Sequence, residues 1–422
     1  MTQHPHLVVV GAGIVGLSCA WAAQQRGWSV TVVDRDIEGD RASHGNAGGI
    51  AITECIPLSL AGLGLKPLRW LLDPLGPLSV RPLHAPRLLP WFLALRKVGR
   101  PAEFQRIAQA LAALNDRCLP AFERLLADIG LGHAIHHRGA LTVYESASAF
   151  EAEAGDWALK RALGVRWRPV DAAEIGRLEP GLAPVFATGV MAQDWAHIDD
   201  PQQLVTRLRE TLQARGARLV TGEVASVAAA GAGATARLRG GADIACDRLV
   251  VATGAWSAAL SAGLGDRALL ESERGYNTTL PAAASLLQRE VIFAERKFVA
   301  TPLSVGLRIG GAAEFAGLAR PANLRRSDAL LRLARRYLPD LQQPGREEGA
   351  RRWMGNRPAT PDSLPVIGPS PGAPQVFYAF GHGHLGLTQA AATGELAGQW
   401  LAGDTPALDL SPYSISRFSR VA

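Results

Sequence analysis

The sequence predicts an α/β domain that opens on a βαβ unit, joined to a second domain built on its own sheet, the two interleaved along the chain. Three observations predict it. Leu7-Val8-Val9-Val10 and Ser29–Val33 are short continuous apolar runs flanking a helical stretch, as expected for strands buried on both faces of a parallel sheet. A third such run, Arg248–Ala252, returns far downstream. Between 276 and 315 the texture is strand-like again, at Tyr276–Leu280, Val291–Ala294, Phe298–Ala300 and Leu307–Ile309, which calls for a second sheet.

The bulk properties agree. A chain of 422 residues is too long for one core, and 48% apolar with 19% charged residues is ordinary globular composition. The formal net charge of +6 is mildly basic, but the Arg residues are scattered rather than strung with aromatics along a groove, so no nucleic-acid partner is expected. The four cysteines, Cys19, Cys55, Cys118 and Cys246, are far apart and form no CxxC pair. That excludes a familiar zinc spacing, argues against a disulfide framework and points to a reducing, cytoplasmic compartment. Only Met1–His6 precede the first strand, leaving no room for a signal peptide, and no run long enough to span a bilayer is present.

Taken in order, Ile14–Arg26 reads as a helix ending at Gly27, and the next strand ends at Asp34. Residues 41–49 form a loop of small residues. Residues 55–101 are Leu- and Pro-rich and basic (Lys66, Arg69, Arg81, Arg87, Arg96, Lys97, Arg100), with Asp73 the one acid, and carry Trp70, Trp91 and Phe92. Residues 103–129 predict one long amphipathic helix, 139–144 a strand, Pro201–Arg215 a helix, and 217–250 alternating segments. A helix at 327–338, a strand at Val376–Ala379, a Gly/His loop and a helix at Leu387–Leu401 complete the chain.

The motif with the clearest chemistry is Gly11-Ala12-Gly13-Ile14-Val15-Gly16, a GxGxxG between strand and helix. Gly11 permits the tight turn, Gly13 lets a pyrophosphate approach the backbone, and Gly16 allows close helix–strand packing. The phosphates then meet free N–H groups at the helix N-terminus. Asp34, 18 residues beyond Gly16, can accept from ribose hydroxyls and would repel a 2′-phosphate. No second GxGxxG signals a separate nicotinamide site, and two small-residue turns, Ala252-Thr253-Gly254 and Asn46-Ala47-Gly48-Gly49, suit a flavin passing close to the backbone. The cofactor expected is therefore FAD. Gly381-His382-Gly383-His384-Leu385-Gly386-Leu387-Thr388 opens a helix whose N-terminus can stabilise negative charge on a reduced flavin. His382 and His384 have no third ligand nearby, so no metal site is expected. Arg357, in Gly355-Asn356-Arg357-Pro358-Ala359-Thr360-Pro361-Asp362, is the side chain type for bidentate capture of a carboxylate, although by itself an Arg near Asp362 is more often a structural ion pair.

This order of motifs, with Arg274-Gly275-Tyr276 between them, resembles the D-amino-acid-oxidase-like flavoenzymes over essentially the whole chain, and is most similar to bacterial D-amino acid dehydrogenases of the D-hydroxyproline dehydrogenase type. The resemblance implies a Rossmann-type FAD-binding domain and an antiparallel-sheet substrate domain, interleaved: residues 1–80, 201–265 and 351–422 in the first, 81–200 and 266–350 in the second. It implies that Arg357 binds the substrate carboxylate, Tyr276 lies near the pocket, the backbone carbonyl of His384 faces the substrate amine, and His382 and Val224 join the site, Val224 against adenine. With these, the expected cofactor contacts are Gly11, Gly13, Ile14, Val15, Gly16, Asp34, Arg35, Arg41, Ala42, Ser43, Gly45, Asn46, Ala47, Gly48, Gly49, Thr253, Gly254, Trp256 and Gly381–Thr388. Some glycine-oxidase-like members carry a second Arg where this chain has His384, which makes glycine a poorer candidate. No Cys in the C-terminal loop and no His at position 46 offers covalent attachment, although His44 is close, so non-covalent FAD is expected.

The activity implied is dehydrogenation of a small D-amino or cyclic imino acid by hydride transfer from Cα to flavin N5, with a quinone or a protein as electron acceptor. Two other readings stand beside it: a glycine/sarcosine-type oxidase using O₂, and a flavin-bound relay subunit without its own substrate site. Residues 55–101 suit either a lid over the substrate domain or a peripheral contact with the inner face of an anionic membrane.

Overall fold

The computed structural model describes residues 4–59, 76 and 78–421. Lys66, Arg69, Trp70 and Asp73 of the basic segment lie outside the described residues.

The nucleotide-type sheet has six strands, in the order Arg218–Thr221, Ser29–Asp34, His6–Val10, Arg248–Val251, Val376–Phe380 and Val366–Pro369. Neighbours are parallel except the last pair. The apolar runs are continuous because both faces are covered. Leu7 and Val9 face a core shared with Leu17 of the helix Ile14–Gln24 and Leu396 of the helix Gly386–Ala402. Val8 and Val10 face the opposite core, with Val227 and Ala236 from a three-stranded antiparallel sheet spanning 224–246. The two helices cross closely: a Cβ at Gly394 would lie 2.5 Å from the carbonyl oxygen of Ser18.

The long helix expected over 103–129 is two helices, Pro101–Asn115 and Cys118–Asp128. Pro120 explains the break, since it has no N–H to donate to the Asp116 carbonyl and its ring would clash there. Both helices pack Ile107, Leu111, Phe122 and Leu125 into the same core as Leu7 and Leu17, so a stretch assigned to the substrate side supports the nucleotide-type sheet.

The second sheet has nine strands. Eight run in the order Arg351–Ala359, Glu271–Leu280, Gly306–Phe315, Phe298–Leu303, Glu290–Phe293, Ala140–Tyr144, Thr188–Ala192 and Trp167–Asp171, and Leu78–Val80 adds to Gly306–Phe315. The sheet is antiparallel, as expected, apart from two pairings, Glu290–Phe293 with Ala140–Tyr144 and Leu78–Val80 with Gly306–Phe315, which are parallel. Parallel neighbours need long crossovers, and these strands are far apart in sequence. Arg351–Ala359 and Leu78–Val80 also extend this sheet into spans assigned to the other domain. A small sheet of Gly49–Ile50, Ala196–Ile198 and Ile135–His136 links the two bodies of the fold. No helix among the described residues is long and apolar enough to cross a membrane.

Candidate active site

One cavity of about 1410 Å³ runs from the carboxyl ends of the parallel strands to the face of the second sheet. Every expected site position lines it except Gly16, Gly48, Gly381, Leu385 and Thr388, which stand behind its wall.

At the nucleotide end, Gly11 has φ 112° and a Cβ there would lie 2.4 Å from the Ala252 carbonyl oxygen, so only glycine turns the chain between the two strands. Gly16 acts from behind: its Cβ would lie 2.0 Å from the Gly11 oxygen and push the phosphate-binding turn outwards. Asp34 ends its strand at the cavity and accepts from the Ala12 N–H at 2.7 Å and the Asp36 N–H at 3.0 Å. The Arg35 guanidinium stacks on Trp256 at 3.9 Å, beside Val224 and Gly254. Arg41 is a brace: it donates to the carbonyls of Ala12, Asp36, Ile37 and Gly39, and burial lowers its pKa, with Asp34 opposing. Ser43 reaches back to the start of the helix Ile14–Gln24, accepting from the Ile14 N–H at 3.1 Å.

The loop 44–49 is held from three sides. The Asn46 side chain accepts from the Gly48 N–H at 2.8 Å, Asn277 donates to the Gly45 carbonyl at 2.8 Å, and Arg308 donates to the carbonyls of His44 and Asn46 at 3.1 and 2.5 Å. Arg308 is buried, and desolvation pulls its pKa down to about 10. Thr388 accepts from the Ala51 N–H at 2.9 Å and so ties this loop to the C-terminal helix instead of facing the cavity. Gly386 and Leu387 put that helix's N-terminus on the cavity.

At the sheet end, Glu273 and Arg357 are cross-strand neighbours, and Arg357 Nη1 donates to Glu273 Oε1 at 2.9 Å and to the Ala312 carbonyl at 3.2 Å. Arg357 Nε and Nη2, one whole edge of the fork, have no protein partner among the described residues. The guanidinium lies on Gly275, where a Cβ would come within 2.3 Å of Nη2. That is why glycine stands between Arg274 and Tyr276.

Tyr276, His382 and His384 line the cavity in different ways. The ring of Tyr276 borders the cavity, but its hydroxyl donates to Glu314 at 2.5 Å and accepts from the Asn323 N–H at 3.2 Å; burial, then Glu314, raises its pKa, and it serves the sheet rather than a reacting atom. His382 is buried, its Nε2 pairs with Thr393 at 3.0 Å, and desolvation lowers its pKa to about 3, so it is a neutral structural residue. His384, on the turn Gly383–Leu385, lines the cavity and is exposed to it, and desolvation, against the opposing pull of Glu273 and Glu54, keeps its pKa below the usual value.

Sequence reasoning missed several lining groups. Trp91, Phe92 and Phe315 form an aromatic wall, with Trp91 Nε1 donating to the Ala359 carbonyl at 3.1 Å. Glu54 opens on the cavity and pairs with the largely buried Lys160 at 2.8 Å; burial would raise its pKa, but the ammonium overrides it and the net shift is downwards. Glu290 is buried at the wall with Trp195 donating to it at 3.0 Å. Only the Gly–Gly pair 48–49 hinted at them: a Cβ at Gly49 would lie 2.2 Å from Glu290.

The cradle fits FAD: positive-φ glycine at the pyrophosphate turn, a carboxylate at the second strand's end, and a cavity long enough to hold a dinucleotide and a small acid. Comparison with known proteins gives the same cofactor. The family described as "FAD dependent oxidoreductase" (DAO) matches residues 6–400. The chain is 33% identical over 421 residues to a "D-amino-acid oxidase" of Bradyrhizobium diazoefficiens, covering 99% of this chain and 100% of that one. It is 30% identical over 424 residues to a "D-amino acid dehydrogenase" of Rhizobium johnstonii, covering 98% and 99%. Among solved structures, glycine oxidase from Geobacillus kaustophilus shares the fold with a TM-score of 0.75 at 22% identity, covering 99% of each chain. L-Proline dehydrogenase from P. horikoshii does so with a TM-score of 0.74 at 19% identity, covering 100% and 99%.

Proposed function

The chain belongs to the DAO family of FAD-dependent oxidoreductases, and from that premise we propose that it oxidises a small D-amino acid or cyclic imino acid at its Cα–N bond. The observation that carries this reading is the free edge of Arg357: the residue lines the cavity, Nη1 is held by Glu273 and Ala312, and Nε and Nη2 have no protein partner among the described residues. A guanidinium so oriented offers two parallel N–H donors to a carboxylate. Glu273 fixes the plane of the fork and leaves the edge available. Bound FAD supplies the hydride acceptor. The protein's residues orient and shield: Arg357 anchors the acid group, the Trp91–Phe92–Phe315 wall excludes water, and His384 remains uncharged beside the substrate nitrogen. The product imine then takes up water and gives a keto acid and ammonia, or persists when cyclic.

The relay reading is disfavoured by the same edge, since a subunit without substrate has no use for a cavity-lining guanidinium with two donors left over from its pair with Glu273. The test is anaerobic mixing of the yellow protein with D-proline, hydroxy-D-proline, D-alanine, D-phenylalanine, sarcosine and glycine. Bleaching by one of the chiral D-acids is expected. Bleaching by none, where dithionite does bleach, overturns the enzyme reading, and a preference for glycine or sarcosine favours the oxidase alternative.

For the acceptor, the helix Ala85–Val98 favours a second, surface-bound step. One face buries Leu88, Trp91 and Leu95 against Phe315 and Ala359 as a cap. The other exposes Leu89 and Leu93, with Leu83 just before the helix, among exposed Arg87, Arg96, Lys97 and Arg100. This arrangement supports docking on an anionic membrane, with quinone as acceptor. Co-sedimentation with anionic vesicles at low salt, reversed at high salt, is expected; no binding at low salt removes the membrane and favours a soluble protein acceptor.

A further inference from the structure

Glu290 is a buried carboxyl group with a single hydrogen bond among the described residues, from Trp195. It begins the strand Glu290–Phe293, is 3% exposed, and lines the cavity. Its Oε2 accepts from Trp195 Nε1 at 3.0 Å, and it lies so flat against Gly49 that a Cβ there would be 2.2 Å away. Trp195, Ala51, Leu385 and Ile292 form the apolar cluster around it. Among the described residues no ion pair reaches it: Lys160 is held by Glu54, Lys297 by Glu153, and the adjacent Arg289 turns onto Glu179. His197, on the neighbouring strand Ala196–Ile198, is buried and neutral, and His384, on the turn that carries Leu385, has its pKa lowered by burial. Burial pushes the Glu290 pKa up to about 8, the Trp195 bond opposing and the Glu54 charge reinforcing.

An uncharged carboxyl carries one O–H donor besides its acceptors, and indole is a donor only. Trp195 therefore satisfies an acceptor and leaves the O–H without one. Polar hydrogens of buried groups are paired as a rule, Oε1 has no hydrogen-bond partner among the described residues, and Glu290 lines the cavity together with Gly49 and His384. We propose that Glu290 acts as a neutral acid whose O–H donates to an acceptor atom of the bound flavin ring, making Glu290 a tuning group for the ring's electron affinity. A donor at that edge favours the negative charge that builds on the ring when it is reduced. Deprotonation would replace the donor by a like charge and oppose reduction.

The test uses the FAD-loaded protein and no substrate, so its outcome is independent of the amino-acid reading. Wild type and Glu290→Gln, whose amide keeps shape and donor but cannot ionise, are compared in visible absorption and in dye-equilibrated midpoint potential between about pH 6.5 and 9.5. The wild-type spectrum is expected to titrate near pH 8, with its potential falling away from the variant's above that pH. The variant shows neither change. Infrared difference spectra on dithionite reduction should show a protonated-carboxyl C=O band in wild type that is missing in the variant. At pH 7, Glu290→Leu should bind sulfite at its flavin about tenfold more weakly. Superimposable titrations of wild type and Glu290→Gln, or no carboxyl band that responds to reduction, overturn the proposal, and this comparison decides even if Glu290→Leu fails to retain FAD.

Discussion

Gly275→Ala tests the substrate anchor without removing a polar atom. Gly275 lies inside the strand Glu271–Leu280 and does not have positive φ, so alanine meets no backbone strain. Its new methyl would sit 2.3 Å from Arg357 Nη2, 2.4 Å from Cζ and 2.7 Å from Nε. A van der Waals separation is about 3.5 Å, so the guanidinium must retreat by about 1.2 Å. Misplacement of a reacting group by about 1 Å lowers rates by roughly 10²-fold. Nη1, held by Glu273 and Ala312, can only pivot, so the free edge swings away from the substrate. Stopped-flow bleaching of the flavin, with the best substrate of the panel under anaerobic conditions, should show the second-order reduction constant lowered by about 100-fold. FAD content and melting temperature should be unchanged. A variant within about threefold of wild type would refute the assignment of Arg357 as the anchor.

Arg357→Leu should weaken substrate binding by about 2–4 kcal/mol, and Arg357→Lys should recover only part of it because an ammonium cannot make the fork contact; both are read from the substrate dependence of bleaching. Gly16→Ala drives a methyl into the Gly11 carbonyl, 2.0 Å away, and should yield largely colourless protein, measured as the ratio of flavin to protein absorbance. Arg308→Met frees the carbonyls of His44 and Asn46 and should loosen FAD by about 1.5–3 kcal/mol, read by flavin fluorescence on dilution. For acid stability the sign follows from two buried imidazoles, His197 at about 4 and His382 at about 3. The unfolded chain takes up protons below about pH 6.5 that the native state refuses. Stability is therefore intact above that pH and falls by roughly 2 kcal/mol per imidazole on going down to pH 5. Urea denaturation at the two pH values measures it, and His382→Asn should flatten the dependence by about half.

Local chemistry was legible wherever one segment carries a complete physical reason. The turn at Gly11–Gly16 needs glycine for contacts made within a few residues and one neighbouring strand, and the apolar run of 7–10 declares burial on both faces. The helix break at Pro120 was equally readable in principle, but the amphipathic period runs through it and masked it. Parallel pairing of Glu290–Phe293 with Ala140–Tyr144 left no local mark, since a strand's own residues do not record the direction of a neighbour 150 residues away.

The sequence by itself determined the glycine turn at 11–16 and the choice of Asp34 to end the second strand, because each follows from residue type and short spacing, whereas Arg357 was singled out by the family resemblance. Tertiary structure alone decided which atoms are free to act. It tied the Tyr276 hydroxyl to Glu314, closed His382 onto Thr393, turned Arg41 into a brace, and left one edge of Arg357 open. It also brought Glu54 and Glu290 to the cavity, from segments with no motif of their own. Hydrogen-bond donors and burial are properties of the assembled neighbourhood, and strands distant in sequence supply that neighbourhood only once the two sheets have packed.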